Sequence, residues 1–179
     1  MLKNQVLLPE SGYYKANLHC HTTLSDGHLT PEQTKEEYMA QGYSIIAFTD
    51  HRRYEHHTEL NDENFLSLAA LEVDLTEARQ PDRDWPVLKC YHLNLVDTNP
   101  EENEAQKQGD LLPDFPYGDL ESLNQYIAKM TEMGFLVTYN HPYWSLQDWR
   151  DYNGLKGLFA MEIYNHGCEH DGLYGYNPQ

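Results

Sequence analysis

Basic residues are scarce in this 179-residue chain, where 12 Lys and Arg stand against 29 Asp and Glu for a formal net charge of −17. A field of that sign repels phosphate backbones and argues against extended nucleic-acid contacts. An anionic small molecule would need bound cations to overcome it. Cysteine is scarce too. Cys20, Cys90 and Cys168 are odd in number and carry no close pairing motif, so a disulfide framework is not expected. No stretch approaches the roughly 20 apolar residues of a membrane span. Residues 1–12 lack the basic region and apolar core of a signal peptide. The expectation is a cytoplasmic protein with no membrane partner.

Histidine, by contrast, is abundant, with ten residues. His28, His56, His57 and His170 lie among charged, glycine or other polar neighbours and read as solvated. His19, His21, His51, His92 and His141 each end or interrupt an apolar, β-rich run, where a scaffold could hold a ligand rigidly. The pair His19-Cys20-His21 is the most telling. Side chains at i and i+2 on a strand share a face, so both imidazoles meet one ion while Cys20 faces the other way.

The length favours one domain, 1–179, large enough for a proper core. Residues 13–18 read as a short strand. Thr30 as N-cap, Pro31 at the first helical position and Gly42 as a stop delimit a helix over about 31–41. Residues 43–49 form a nearly continuous apolar run, as strands buried on both faces do, and complete a βαβ unit. The same rhythm recurs in strand-like runs at 65–73, 87–96, 135–139 and 158–164, the last ending in Asn165-His166-Gly167. Leu120, Leu123, Ile127 and Met130 mark one amphipathic helix closed by Gly134. Residues 97–117 are polar and aperiodic, and read as a mobile loop insertion with a lid as the alternative. Strands with candidate ligands near their C-terminal ends gather those side chains on one face of a barrel or open sheet, where parallel α/β proteins keep their sites.

Residues 16–51, NLHCHTTLSDGHLTPEQTKEEYMAQGYSIIAFTDH, resemble the PHP family, named for polymerase and histidinol phosphatase. The HxH pair, SDG, helix-opening Pro, Gly before the second strand and terminal TDH stand in the family's order. The Glu of ALEVDL, the His of CYHLNLV and the NHP at 140–142 extend the match over nearly the whole chain. The resemblance implies an α/β fold, a distorted TIM-like (β/α)7 barrel, and up to three divalent ions. It implies that His19, His21 and Glu72 share one ion, that Glu72, His92 and His141 share a second, and that Asp26 and His51 hold a third. Imidazole with carboxylate suits Zn, Mn or Fe. A bridging carboxylate keeps two ions at the roughly 3.5–4 Å used in two-metal phosphoryl chemistry, where a metal-activated water attacks and no protein nucleophile is needed.

Each ligand has a rival explanation. Asp26 could serve only its Ser-Asp-Gly turn. Asp74 shares a strand face with Glu72, and the family pattern selects Glu72 as the bridge. Asp50 reads as a carboxylate orienting an imidazole. Arg52 and Arg53, directly after His51, are candidates to grip a substrate phosphate, with solvated loop charges as the equal alternative.

The family's late Asp-x-His has no counterpart after residue 141, where only His170-Asp171 appears, and the last barrel strands lack counterparts as well. Two expectations follow. The chain is shortened and the barrel incomplete at its C-terminus, or a compact variant completes its site with Glu162, His166 or His170, a neighbouring subunit being one source. The functional expectation is a metal-dependent phosphoesterase acting on a small-molecule or nucleotide phosphomonoester. The alternatives are a PHP-type nuclease for short or single-stranded ends and a non-catalytic metal-binding module.

Overall fold

The computed structural model describes residues 12–78, 88–103 and 108–170. Strand β1 (Ala16–Cys20) leads through a short turn to helix α1 (Pro31–Ala40). Thr30 and Gln33 cap α1 reciprocally: the Thr30 hydroxyl accepts from the Gln33 N–H and the Gln33 side chain from the Thr30 N–H. Pro31 forfeits only an N–H that the first turn leaves unpaired. Gly42, at φ 80°, turns the chain out of the helix at no steric cost. It enters β2 (Ile45–Phe48), parallel to β1, and then β3 (Leu66–Thr76), parallel to β2. These are the elements expected from the sequence, with β1 lying nearer to His19 and β3 running further.

The expected repetition of parallel units is corrected at the next strand. β4 (Cys90–Asp97) runs antiparallel to both β3 and β5 (Phe135–Tyr139). Parallel pairing resumes only at β6 (Ala160–Met161), two residues long where a longer strand was expected. A strand buried on both faces carries no mark of its direction in its sequence. Reversal places His92, third residue of β4, opposite Asp74 near the C-terminal end of β3. The early part of β4 thus supplies the end of the sheet that the late parts of the other strands supply.

Between β4 and β5 the chain forms α2 (Pro100–Asn103), a 3-10 turn at 108–111, and α3 (Leu120–Glu132). Asp119 caps α3 through the Ser122 N–H, and Leu123, Tyr126, Ile127 and Met130 form its buried face. Residues 97–117 are therefore not wholly aperiodic. Leu111 is fully buried, and its carbonyl accepts the Tyr126 hydroxyl at 2.6 Å; 104–107 lie outside the described residues. After β5 come α4 (Trp149–Tyr152) and α5 (His166–His170).

The six strands form one sheet whose order follows the chain. It curls until its two edges meet at one end: His19 Nδ1 on β1 lies 3.0 Å from Glu162 Oε1, just beyond β6. The result is an α/β partial barrel. Its larger core lies beneath β3, β4 and β5 and is covered by α3. A smaller cluster of Cys20, Ile46, Phe48, Leu60 and Phe65 lies against α1. Among the described residues no helix is long and apolar enough to cross a membrane.

Candidate metal centre

Glu72 lies well inside β3, fully buried, and five imidazoles converge on its carboxylate. His19 Nε2, His92 Nδ1 and His141 Nε2 are 3.4, 3.1 and 3.4 Å from Oε1; His21 Nε2 and His51 Nδ1 are 3.1 and 3.3 Å from Oε2. Strand alternation delivers His19 and His21 together, their Nε2 atoms 3.2 Å apart. Cys20 points into the smaller core, as expected. A parallel β-bridge between His51 and Glu72 fixes the end of the second strand segment against β3. Asp26 joins through His21 Nδ1 at 2.8 Å and His51 Nε2 at 3.7 Å. All seven residues singled out as metal ligands line one pocket of about 270 Å³, together with Trp144, Asn165, Gly167 and Cys168.

A second ring of contacts orients these groups. Of the proposed completing residues whose side chains are described, Glu162 reaches the site: Oε1 faces His19, and Oε2 accepts the His141 N–H at 3.0 Å. Asn165 donates to both of its oxygens. The His166 side chain is 82 % exposed and pairs with Glu169, and the His170 side chain lies outside the described residues. Ser145 Oγ lies 3.2 Å from His141 Nδ1, and Asn140 donates to Glu72 Oε1 at 2.7 Å. Neither role is readable from the sequence, because both depend on folds of the segment after β5.

Two other expectations are corrected. Asp50 touches no imidazole; it accepts the Thr22 N–H and hydroxyl and the Ser25 hydroxyl, and so pins the turn that carries Asp26. His57, read as solvated from polar neighbours, is buried with its ring 4.8 Å from Phe48. Arg52 and Arg53 are not among the pocket-lining residues. The Arg52 guanidinium grips Asp74 at 2.6 and 3.0 Å, and Arg53 lies 3.5 Å from Glu55. With Asp74 thus neutralised, Glu72 is the β3 carboxylate turned to the histidines.

Electrostatics divide the imidazoles. Burial alone would lower His19, but hydrogen bonds to Glu162 and Glu72 overcome it and push the group up to about 10. His92 likewise rises to about 10 against burial, through hydrogen bonds to Cys90 and Glu72. Burial prevails at His51 and His141, which are lowered despite Glu72. Burial would raise Glu72, yet hydrogen bonds from His141 and His19, with the His19 charge, hold it well below the usual carboxylate range.

The donor set suits divalent ions of the Zn, Mn or Fe kind. Glu72 Oε2 is buried without a hydrogen-bond donor, which is costly for a carboxylate oxygen unless a cation meets it. Two imidazole nitrogens facing each other at 3.2 Å fit lone pairs directed at a shared ion. Among the described residues, four trios of ligand atoms lie within 4.8 Å of one another: His19, His21 and Glu72; His51, Glu72 and His92; His21, Asp26 and His51; and His19, His141 and Glu162. The trios regroup the partition implied by the resemblance. His51 joins Glu72 and His92 where His141 was expected, and His141 pairs with Glu162.

No protein-family model and no curated protein matches the chain. Solved structures do. A two-domain protein from Bacteroides vulgatus containing a predicted PHP-like metal-dependent phosphoesterase aligns at 19 % identity and TM-score 0.49, over 89 % of this chain and 49 % of that one. The chain thus spans about half of that protein's length. An amidohydrolase from Chromobacterium violaceum, with sulfate bound and no metal, aligns at 13 % identity and TM-score 0.51 over 89 % of this chain and 84 % of its own. A protein from Bifidobacterium adolescentis named as a metal-dependent phosphoesterase aligns at 14 % and 0.51, over 87 % and 79 %. At low identity, then, the partial barrel shares its fold with an amidohydrolase and with a protein named as a metal-dependent phosphoesterase.

Proposed function

We propose that the protein is a metal-dependent phosphoesterase that hydrolyses a phosphomonoester of a small molecule or nucleotide, on a site built to the plan of a distorted (β/α)7 barrel. The observation that carries this reading is the fully buried Glu72 with five imidazoles 3.1–3.4 Å from its oxygens, at the end of the sheet where α/β proteins bind ligands. Glu72, with His19, His21, His51, His92, His141 and Asp26, would hold two or three divalent ions. Such ions, when bound, lower the pKa of coordinated water and neutralise phosphate charge.

The chain's own groups prepare that chemistry. Glu162 accepts from His19 Nδ1 and so orients the ring with Nε2 toward Glu72, where, once deprotonated, it could ligate. Ser145 holds His141 in the same way. Asp50 fixes the 22–27 turn and so the position of Asp26. Asn140 restrains the bridging carboxylate from behind.

The test is hydrolysis of a generic aryl phosphate by Mn-loaded protein, with elemental analysis of the same sample. Metal bound in stoichiometric amount and Mn-stimulated hydrolysis, lost in His141→Ala, support the reading. Cleavage of short oligonucleotides alone would move it to the nuclease. A loaded protein inert toward both, and toward amides, would make it a metal-binding module.

A further inference from the structure

The pocket has a wall that the metal ligands do not use. Trp144 is the one large apolar side chain among the described pocket-lining residues, and 39 % of it is exposed. Its ring lies 5.7 Å from that of His92 and 5.3 Å from that of His141, at 62° and 81°. Both contacts are edge-to-face. Among the described residues no aromatic ring lies parallel on the indole, the arrangement a stacked ring would take. The backbone beneath it is held firmly. Ser145 N–H donates to the His141 carbonyl, Leu146 to Tyr143 and Gln147 to Pro142, while the Ser145 carbonyl accepts the Cys90 N–H from β4. Leu146 is held at φ 56°, a conformation that non-glycine residues seldom adopt.

The lining is also without Lys or Arg among the described residues. Away from the ion-binding groups, the pocket can hold a substrate mainly by apolar contact, and the indole is the surface that supplies it. We infer that Trp144 is a specificity-determining residue that stacks on a flat ring in the leaving group, so that the preferred substrates are nucleoside or other aromatic phosphomonoesters. This rests on the phosphoesterase reading for the position of the phosphate. Stacking also explains why a large ring is left partly in water beside a polar centre: substrate covers it.

Adenosine monophosphate and ribose phosphate, phosphorylated on the same alcohol, differ in the base and share the scissile bond. With Mn-loaded protein, kcat/KM should favour the nucleotide by about tenfold, mostly through KM, since one base stacked on an aromatic ring typically contributes that much or more. Trp144→Ala should bring the ratio near one, and Trp144→Phe should restore part of it. Equilibrium binding of the two ligands to the same proteins, read by calorimetry, should show the same ratios whether or not turnover occurs. If both esters are hydrolysed and the ratio is equal in wild type and Trp144→Ala, the role of Trp144 is overturned and the phosphoesterase reading survives. If neither is hydrolysed but the nucleotide binds about tenfold tighter only when Trp144 is present, the stacking wall stands and the hydrolytic reading falls. Absence of any base-dependent binding or turnover overturns the inference.

Discussion

Beneath β3, β4 and β5, α3 packs Leu123, Tyr126, Ile127 and Met130 onto a broad apolar face, whereas β1 and β2 rest on a small cluster against a mostly solvated α1. The pocket straddles both regions. Glu72, His92 and His141 rise from the thick half with side chains 0, 10 and 8 % exposed. His21, His51 and Asp26 come from the thin half and are 20, 29 and 64 % exposed. Packing therefore preorganises one half of the ligand set. The other half depends on turn contacts such as those of Asp50, and bound ions would add to its rigidity.

That contrast can be broken most severely at its hinge. Glu72→Gln keeps the shape but removes the charge both halves share, and breaking such a buried pairing costs about 3–5 kcal/mol. It should empty the site by elemental analysis and abolish hydrolysis to within roughly a thousandth of wild type. Stripping the ions with a chelator should come next. Ions in hundredfold excess over Kd contribute about 3 kcal/mol, and hydrogen exchange should show the loss concentrated at 19–26 and 50–53, with 91–95 and 137–141 little changed. Equal loss in both regions would erase the distinction between them. Because their hydrogen-bond partners, against burial, raise His19 and His92 to about 10 and an imidazole must be neutral to ligate, rebinding should release protons, measurable by titration in two buffers of different ionisation enthalpy.

Glu162→Gln should weaken metal binding about 10–100-fold, the usual effect of removing a carboxylate that orients a ligating histidine, since it joins the thin half's His19 to the thick half's His141. The smallest effect belongs to Asp74. Burial raises its pKa, and the Arg52 hydrogen bond and charge more than offset this, for a net lowering. A depressed carboxylate contributes stability above the unfolded value of about 3.9, and that contribution is lost as pH falls through the lower folded value. Thermal unfolding should place Asp74→Asn about 0.5–1 kcal/mol below wild type at neutral pH, with the difference vanishing in acid.

Local chemistry was legible in the sequence. Thr30, Pro31 and Gly42 delimit α1, the spacing of Leu123, Ile127 and Met130 gives α3, and 135–139 is β5 as expected. The five histidine ligand candidates were legible because each closes or interrupts an apolar run, Asp26 and Glu72 through the resemblance, and the fold brings all seven into one pocket. What the sequence hides depends on partners distant along the chain. The direction of β4 is set by its neighbours, not by its composition. His57 lies among polar residues in sequence and against Phe48 in space. Glu162 could be named only as one of three candidates, because its contact with His19 spans 143 positions.

The sheet order, which follows the chain from β1 to β6, has a kinetic consequence. Every strand pairs with its predecessor in sequence, so the sheet can grow one neighbour at a time, each step closing less chain than a pairing across the whole sheet would. The contact between His19 and Glu162 is different in kind. It joins the two edges of the sheet across 143 positions, a closure with a larger loop-entropy cost than any pairing of neighbouring strands. Completion of the ligand set thereby depends on the longest closure in the sheet: without Glu162 the chain keeps Glu72, His92 and His141 but loses the carboxylate that faces His19.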